Sequence, residues 1–253
     1  DGWTYTFNRS STFSWGGTGT SLVGTAYPLA HYAEQVWVGG VKLTQVGSLA
    51  AVTAGTFYVD EAADRVYVGT DPTSVEVRAS VKSAAFTIAG AGAGAGGSII
   101  RGIGIRKYAN QCPDEGVIKV NRAGCTLENI GVEDCATTGL SCFGDTYDGF
   151  TIRNCTVLRP GLLAIKAEKA NDLLVEGCLF EGANEQHFLE GQAAGSVKVT
   201  RSKRVTFRNN RSAGSVAANG YWFDMSVIDI DFVNNDSIGD GSRGLFIENC
   251  TTA

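Results

Sequence analysis

The sequence is short of several features that would each point to a function. Only 4 of 253 residues are proline, 2 are histidine and 1 is methionine. None of the seven cysteines falls in a Cys-x-x-Cys pair, which argues against a zinc site, and no metal site is expected. Lys and Arg total 21 against 26 acidic residues, a net charge of −5, and no basic block occurs. Nucleic acid is therefore not an expected partner, because phosphate binding needs clustered cations. No run of 18 apolar residues exists, so no helical membrane span is expected. No leader pattern is read, and a chain that starts at Asp1 is expected to be processed or cut. Long helical periodicities are scarce as well. What remains is 33 glycines and 43% hydrophobic residues, the profile of a turn-rich all-β chain with a sizeable core.

Residues 1–89 read as an N-terminal β-rich module. Val36-Trp37-Val38 and Val41-Lys42-Leu43 flank Gly39-Gly40, a tight hairpin signal. Short strands follow at Gly55–Asp60, Arg65–Val68 and Val75–Arg78. Residues 1–35 show little periodicity. The glycine–alanine run 90–97 has no βαβ context for phosphate binding and reads as a flexible join.

From residue 98 to 253 the chain repeats. Ile100-Arg-Gly102, Leu127-Glu-Asn129, Ile152-Arg-Asn154, Val175-Glu-Gly177, Phe207-Arg-Asn209 and Phe232-Val-Asn234 align at steps of 27, 25, 23, 32 and 25 residues. A second strand recurs half a turn away, as in Val117–Val120, Ala164–Ala167 and Ser196–Val199. That spacing is too short for βαβ units but suits one coil of a right-handed parallel β-helix. The Asn residues at the turn are expected to face inward as a stacked amide ladder. Asn-x-Ser/Thr matches at Asn8, Asn154, Asn210, Asn235 and Asn249 then read as structural where the ladder claims them. The cysteines, six of them between 112 and 178, read as buried thiols, with Cys112–Cys135 and Cys155–Cys178 as alternative disulfides.

Alternation within the second strand turns Lys119, Ser141, Lys166, Lys198, Asp224 and Glu248 outward, and they are expected to stack as one column. Asp224 and Glu248 then sit on adjacent coils about 4.8 Å apart at the backbone. That is near the spacing of the two carboxylates of a retaining glycosidase. An exposed charge ladder is the alternative reading. The longest coil carries extra residues, Glu181–Gly195, with His187 among them, and loops lengthened on one face of a solenoid tend to build its binding site. His187, Lys198, Arg201 and an exposed, sugar-stacking Trp222 are the expected walls of a groove.

Ala194-Gly-Ser-Val-Lys-Val-Thr200, Gly220-Tyr-Trp-Phe-Asp224 and Gly244-Leu-Phe-Ile-Glu248 resemble the β-helical glycoside hydrolases of the β-xylosidase type. The resemblance implies Asp224, in a Gly-x-Trp-x-Asp strand, as nucleophile and Glu248 as acid/base. Ala54–Asp60 with Arg65–Val68 resembles the β-rich module that such enzymes carry. The chain is also similar along nearly its whole length to bacterial secreted β-helix repeat proteins of no assigned activity. Met225 and Asn249-Cys250 depart from the enzyme pattern. The expected setting is extracellular, with a carbohydrate as partner. A polysaccharide lyase or C5-epimerase using Lys198, His187 and Arg201, with Ca²⁺ offsetting the acids, is one alternative. A non-catalytic carbohydrate-binding or adhesive solenoid is another. Both families continue for further coils after the Glu, so missing coils or a partner chain are expected to cover the C-terminal end.

Overall fold

A computed structural model describes residues 22–63, 65–89, 96–112, 116–144, 148–191 and 193–250. The repeats form a parallel β-helix of about six coils, with no helix between its strands among the described residues. Each coil contributes three strands, not the two that the repeats suggested. Sheet A stacks Phe86–Ile88, Gly116–Val120, Thr138–Phe143, Leu163–Glu168, Gly195–Thr200, Asn219–Asp224 and Leu245–Ile247. Sheet B stacks Ile99–Arg101, Thr126–Glu128, Thr151–Arg153, Leu174–Glu176, Lys203–Arg208 and Ile228–Val233. Sheet C stacks Gly104–Arg106, Gly131–Glu133, Thr156–Leu158, Leu179–Glu181, Arg211–Ala213 and Asp236–Ile238. The glycine–alanine run therefore connects the first strands of sheets A and B. Most of it, 90–95, lies outside the described residues.

Strand periodicity builds the core. Sheet B turns Leu127, Ile152, Val175 and Phe207 inward in register, and sheet C turns Val132, Val157 and Phe180. Sheet A adds two columns, Ile118–Leu140–Ile165–Val197–Tyr221 and Val120–Cys142–Ala167–Val199–Phe223. All of these are buried in one cluster. In the later coils the packing is edge-on between aromatics: Phe207 lies 5.2 Å from Phe223, and Tyr221 lies 5.0 Å from Phe232.

The corners are made by residues with positive φ. Asn129, Asn154, Asn209 and Asn234 turn the chain between sheets B and C at φ of 53°, 53°, 58° and 52°. Their side chains are exposed. This corrects the expected ladder: these asparagines act through the left-handed backbone that Asn tolerates, not through inward amides. The inward stack is one residue further on and mixes chemistries, as Cys155, Cys178, Asn210 and Asn235. The Cys155 N–H donates to Cys178 Sγ at 3.4 Å, and the Cys178 N–H donates to Asn210 Oδ1 at 2.9 Å. The Asn210 N–H and Nδ2 both donate to Asn235 Oδ1, at 3.0 and 2.9 Å. The glycosylation match at Asn154 is thus on an exposed side chain, whereas Asn210 is buried. All seven cysteines are free thiols, so neither alternative disulfide forms. Burial pushes Cys135 and Cys142 up to about 12.

Ahead of the coils, Val36–Val38 pairs antiparallel with Val41–Lys42 on one side and Val77–Ala79 on the other. Thr56–Asp60 pairs antiparallel with Arg65–Val68. Val36, Val38, Leu43, Phe57 and Val59 form their own small core. The module rests on the solenoid through Lys107 over Trp37 (4.3 Å to the ring centroid), an Ala33–Ala109–Ala136 contact and a Lys42–Glu185 ion pair.

Candidate functional site on the outer face of sheet A

Parallel pairing in sheet A fixes which outward side chains are neighbours. Lys119, Ser141, Lys166, Lys198, Trp222 and Phe246 form one outward column. Phe143, Glu168, Thr200 and Asp224 form the next. Glu248 continues the second column, since its N–H donates to Phe223 O at 2.8 Å just after the Phe223–Ile247 pair. The expected single column is therefore corrected by two residues: Lys198 stacks on Trp222, and Asp224 stacks on Thr200. Alternation fixes the face of a side chain but is blind to an even slip. The true register is set at the corners, where Arg201 at φ 51° and Met225 at φ 57° occupy equivalent places. Neither residue type advertises a left-handed turn.

The last three coils thus present a grid of two by three: Lys198 and Thr200, then Trp222 and Asp224, then Phe246 and Glu248. Rows are about 4.8 Å apart and the two members of a row about 6.6 Å. Lys198 reaches Asp224 diagonally, with Nζ 3.4 Å from Oδ2, and both side chains are nearly closed to solvent at 2% and 9% exposure. Asp224 Oδ1 also accepts the Met225 N–H at 2.6 Å and faces Asn249 Nδ2 at 3.5 Å. The same ammonium lies 3.3 Å from the centroid of the Trp222 ring, which stacks in turn on Phe246 at 5.4 Å. Burial is the main force on Lys198, pushing its ammonium down to about 8; Asp224 and Glu248 pull upward, while Lys166 on the coil below pushes down.

Trp222 faces outward as expected but is buried, with 3% of its surface exposed. Its ring faces are taken by Lys198 and Phe246, so the expectation of an open stacking platform is corrected. Among the described residues, its Nε1 has no hydrogen-bond partner, and neither has the buried Thr200 Oγ1. Glu248 and Phe246 are half-buried.

The long loop flanks this face. Asn184 holds it: Nδ2 donates to the carbonyls of Phe188 and Val216, both at 2.9 Å, and Oδ1 accepts the Phe188 N–H. Glu190 then accepts from Arg243 at 2.7 Å and Ser242 at 2.5 Å, and Arg243 lies over Phe246 at 4.3 Å. His187 stacks on Tyr27 at 4.0 Å, and Arg201 pairs with Glu168. The structure thus unites Lys198, Trp222, Asp224 and Glu248, whereas His187 and Arg201 engage other partners. Thr200 and Phe246 also belong to the grid; both lie in the segments quoted above, but only the correct register places them beside Asp224 and Trp222. Among the described residues, no three His, Cys, Asp or Glu side chains are grouped to hold a metal ion.

The family model described as "Right handed beta helix region" matches residues 109–253, more than half of the chain. The chain belongs to this family, and its coils are right-handed. No curated protein sequence matches it. Among solved structures, the complex structure of XylC with xylose superposes with a TM-score of 0.64 at 15% identity, over 85% of this chain and 46% of that one. The chain spans less than half of that protein's length, and the likeness is one of fold.

Proposed function

We propose that this face belongs to a retaining glycoside hydrolase of plant or microbial oligo- or polysaccharides, acting outside the cell. The observation that carries the reading is the adjacency of Asp224 and Glu248 in one outward column, with Lys198 ion-paired to Asp224. Neighbouring strands bring two carboxyl groups to about the 5–5.5 Å that a retaining mechanism uses. Asp224 is the nucleophile on the anomeric carbon, and Glu248 protonates the departing oxygen. Glu248 then takes a proton from the water that cleaves the glycosyl ester. Lys198 ion-pairs with the nucleophile, and the fold shared with the XylC–xylose complex supports a sugar as substrate.

The test is turnover of aryl glycosides. Asp224→Ala should abolish it. Glu248→Ala should keep the first step with an activated leaving group and stall at the second, and azide should restore turnover with retained configuration. Full activity in Asp224→Ala would end the reading. The lowered proton affinity of Lys198 favours a second reading, in which its neutral amine is the base of a uronate lyase or C5-epimerase. That enzyme would release an unsaturated, ultraviolet-absorbing product or an inverted C5, and would tolerate Asp224→Asn better than Lys198→Ala. Saturable binding with no chemistry would leave a carbohydrate-binding solenoid.

A further inference from the structure

We propose that a cleft of the N-terminal module, which shares no residue with the sheet A grid, binds an amino sugar through its ammonium group. The ammonium part of the inference stands on the cleft alone; the choice of a sugar among amines rests also on the carbohydrate reading of the molecule. The cleft opens where two strands part. Thr44–Gln45 runs parallel to Thr56–Asp60, in register at Thr44–Thr56 and Gln45–Phe57. The Val46 N–H donates to Phe57 O at 2.8 Å, and the chain then leaves through Gly47 into a short 3₁₀ turn at Leu49–Ala51. Backbone alternation points the next N–H and C=O on that edge, those of Val59, toward the space left behind. The result is an open cavity of about 290 Å³, at the small end of ligand sites.

Its lining suits a hydroxylated cation. Strand alternation puts Tyr58 and Asp60 on one face, opposite the buried Phe57 and Val59. Tyr67 stacks beside Tyr58 at 6.3 Å, and Tyr32 lines the cavity as a second aromatic ring. Asp60 and the exposed Glu61 add two carboxylates, and Gln45 adds an amide. Asp60 Oδ1 accepts the Ala63 N–H at 3.0 Å, which orients the carboxyl group and leaves Oδ2 for a ligand. Of the ten described lining residues, none is lysine, arginine or histidine. Arg65 stands opposite Asp60, but on the strand at the other side of it from Gln45 and Val46. His31 is buried against the Tyr32 ring, 4.3 Å away, and does not line the cavity. The lining therefore repels a uronate and leaves its charge unmatched by a neutral sugar. An ammonium answers both features: it donates charge-assisted bonds to the carboxylates and lies against the electron-rich tyrosine faces. The hydroxyls of the same ring find donors and acceptors in the Gln45 amide, the Tyr58 hydroxyl and the Val59 backbone.

The test is calorimetric binding of D-glucosamine to the whole protein, with D-glucose, N-acetyl-D-glucosamine, D-glucuronate and cyclohexylamine as comparisons. The first three keep the ring and its hydroxyls but lack the positive charge, and cyclohexylamine keeps ring and charge but lacks the hydroxyls. D-glucosamine should bind about tenfold or more tightly than any of them. Asp60→Asn should weaken it about tenfold at an unchanged melting temperature, because the asparagine Oδ1 still accepts the Ala63 N–H. Gln45→Ala should weaken it severalfold. Glu248→Ala, on sheet A, should bind it as wild type does. No binding of D-glucosamine, equal binding of any comparison compound, or full affinity in Asp60→Asn would each overturn the proposal. Loss of binding in Glu248→Ala would move the ligand to sheet A and overturn it as well. Aryl-glycoside turnover scores the hydrolase separately. Binding that responds to Asp60→Asn in a protein without turnover supports the cleft and sinks the hydrolase, and turnover in a protein that does not bind D-glucosamine does the reverse.

Discussion

Replacing Asn210 by alanine tests how the coils are held in register. Asn210 is 2% exposed and makes three side-chain bonds. It accepts the Cys178 N–H at 2.9 Å, and it donates to Val175 O at 3.0 Å and to Asn235 Oδ1 at 2.9 Å. Alanine removes all three and strands the buried Cys178 N–H, whereas Asn235 Oδ1 keeps the Asn210 backbone N–H. One stranded buried group plus the lost bonds amount to a destabilisation of about 2–4 kcal/mol. Asn154→Ala is the control, because that side chain is exposed and serves only the φ of 53°. Its cost should be about 1 kcal/mol, and Asn154→Gly should cost nothing measurable. Urea unfolding followed by circular dichroism gives the differences, and native-state hydrogen exchange should show the Cys178 amide losing protection only in Asn210→Ala. An Asn154→Ala loss equal to or larger than that of Asn210→Ala would refute the assignment of the ladder.

Lys198 makes stability depend on pH. Its folded proton affinity is lowered from 10.5 to about 8, so between those values the unfolded chain binds the extra proton and stability rises with pH. Relative to Lys198→Met, wild type should gain roughly 3 kcal/mol across that window, read by unfolding at pH 7 and pH 10.5; a flat difference would contradict it. Asp224→Ala should lower stability by removing the carboxylate that Lys198 and the Met225 N–H both engage, and adding Lys198→Met should recover part of the loss, a non-additivity that a double-mutant cycle measures. Ala217 holds a φ of 46° on an exposed turn, so Ala217→Gly should raise the unfolding free energy by about 0.5–1 kcal/mol, and a loss in the same assay would count against the turn geometry.

The repeats revealed the solenoid because each coil returns an apolar, polar, Asn or Gly signature, and an asparagine at φ near 53° is among the few residues that carry such a corner. The same signature misplaced the ladder by one residue. Cys178 and Asn210 share a stack without sharing a residue type, so no single-residue column pointed to them. Sheet C escaped notice because its strands are three residues long, each with one inward residue such as Val132 or Val157, immediately after a corner. Outward parity was readable for Lys198, Trp222, Asp224 and Glu248. Their register was not, because the corners at Arg201 and Met225 have no compositional mark. Nor does parity report cover: the burial of Trp222 comes from Lys198 and Phe246 on the coils to either side, contacts that exist only once the coils are stacked.

The central claim concerns Asp224, and trapping the covalent intermediate addresses it most directly. A 2-deoxy-2-fluoro glycosyl fluoride slows both steps but supplies a good leaving group, so a retaining enzyme accumulates its glycosyl ester. After incubation and proteolysis, mass spectrometry should find one fluoroglycosyl adduct, on the peptide containing Asp224, and Asp224→Asn should abolish it. An adduct on another residue, or hydrolysis of the parent glycoside with inverted configuration and no adduct, would contradict the account.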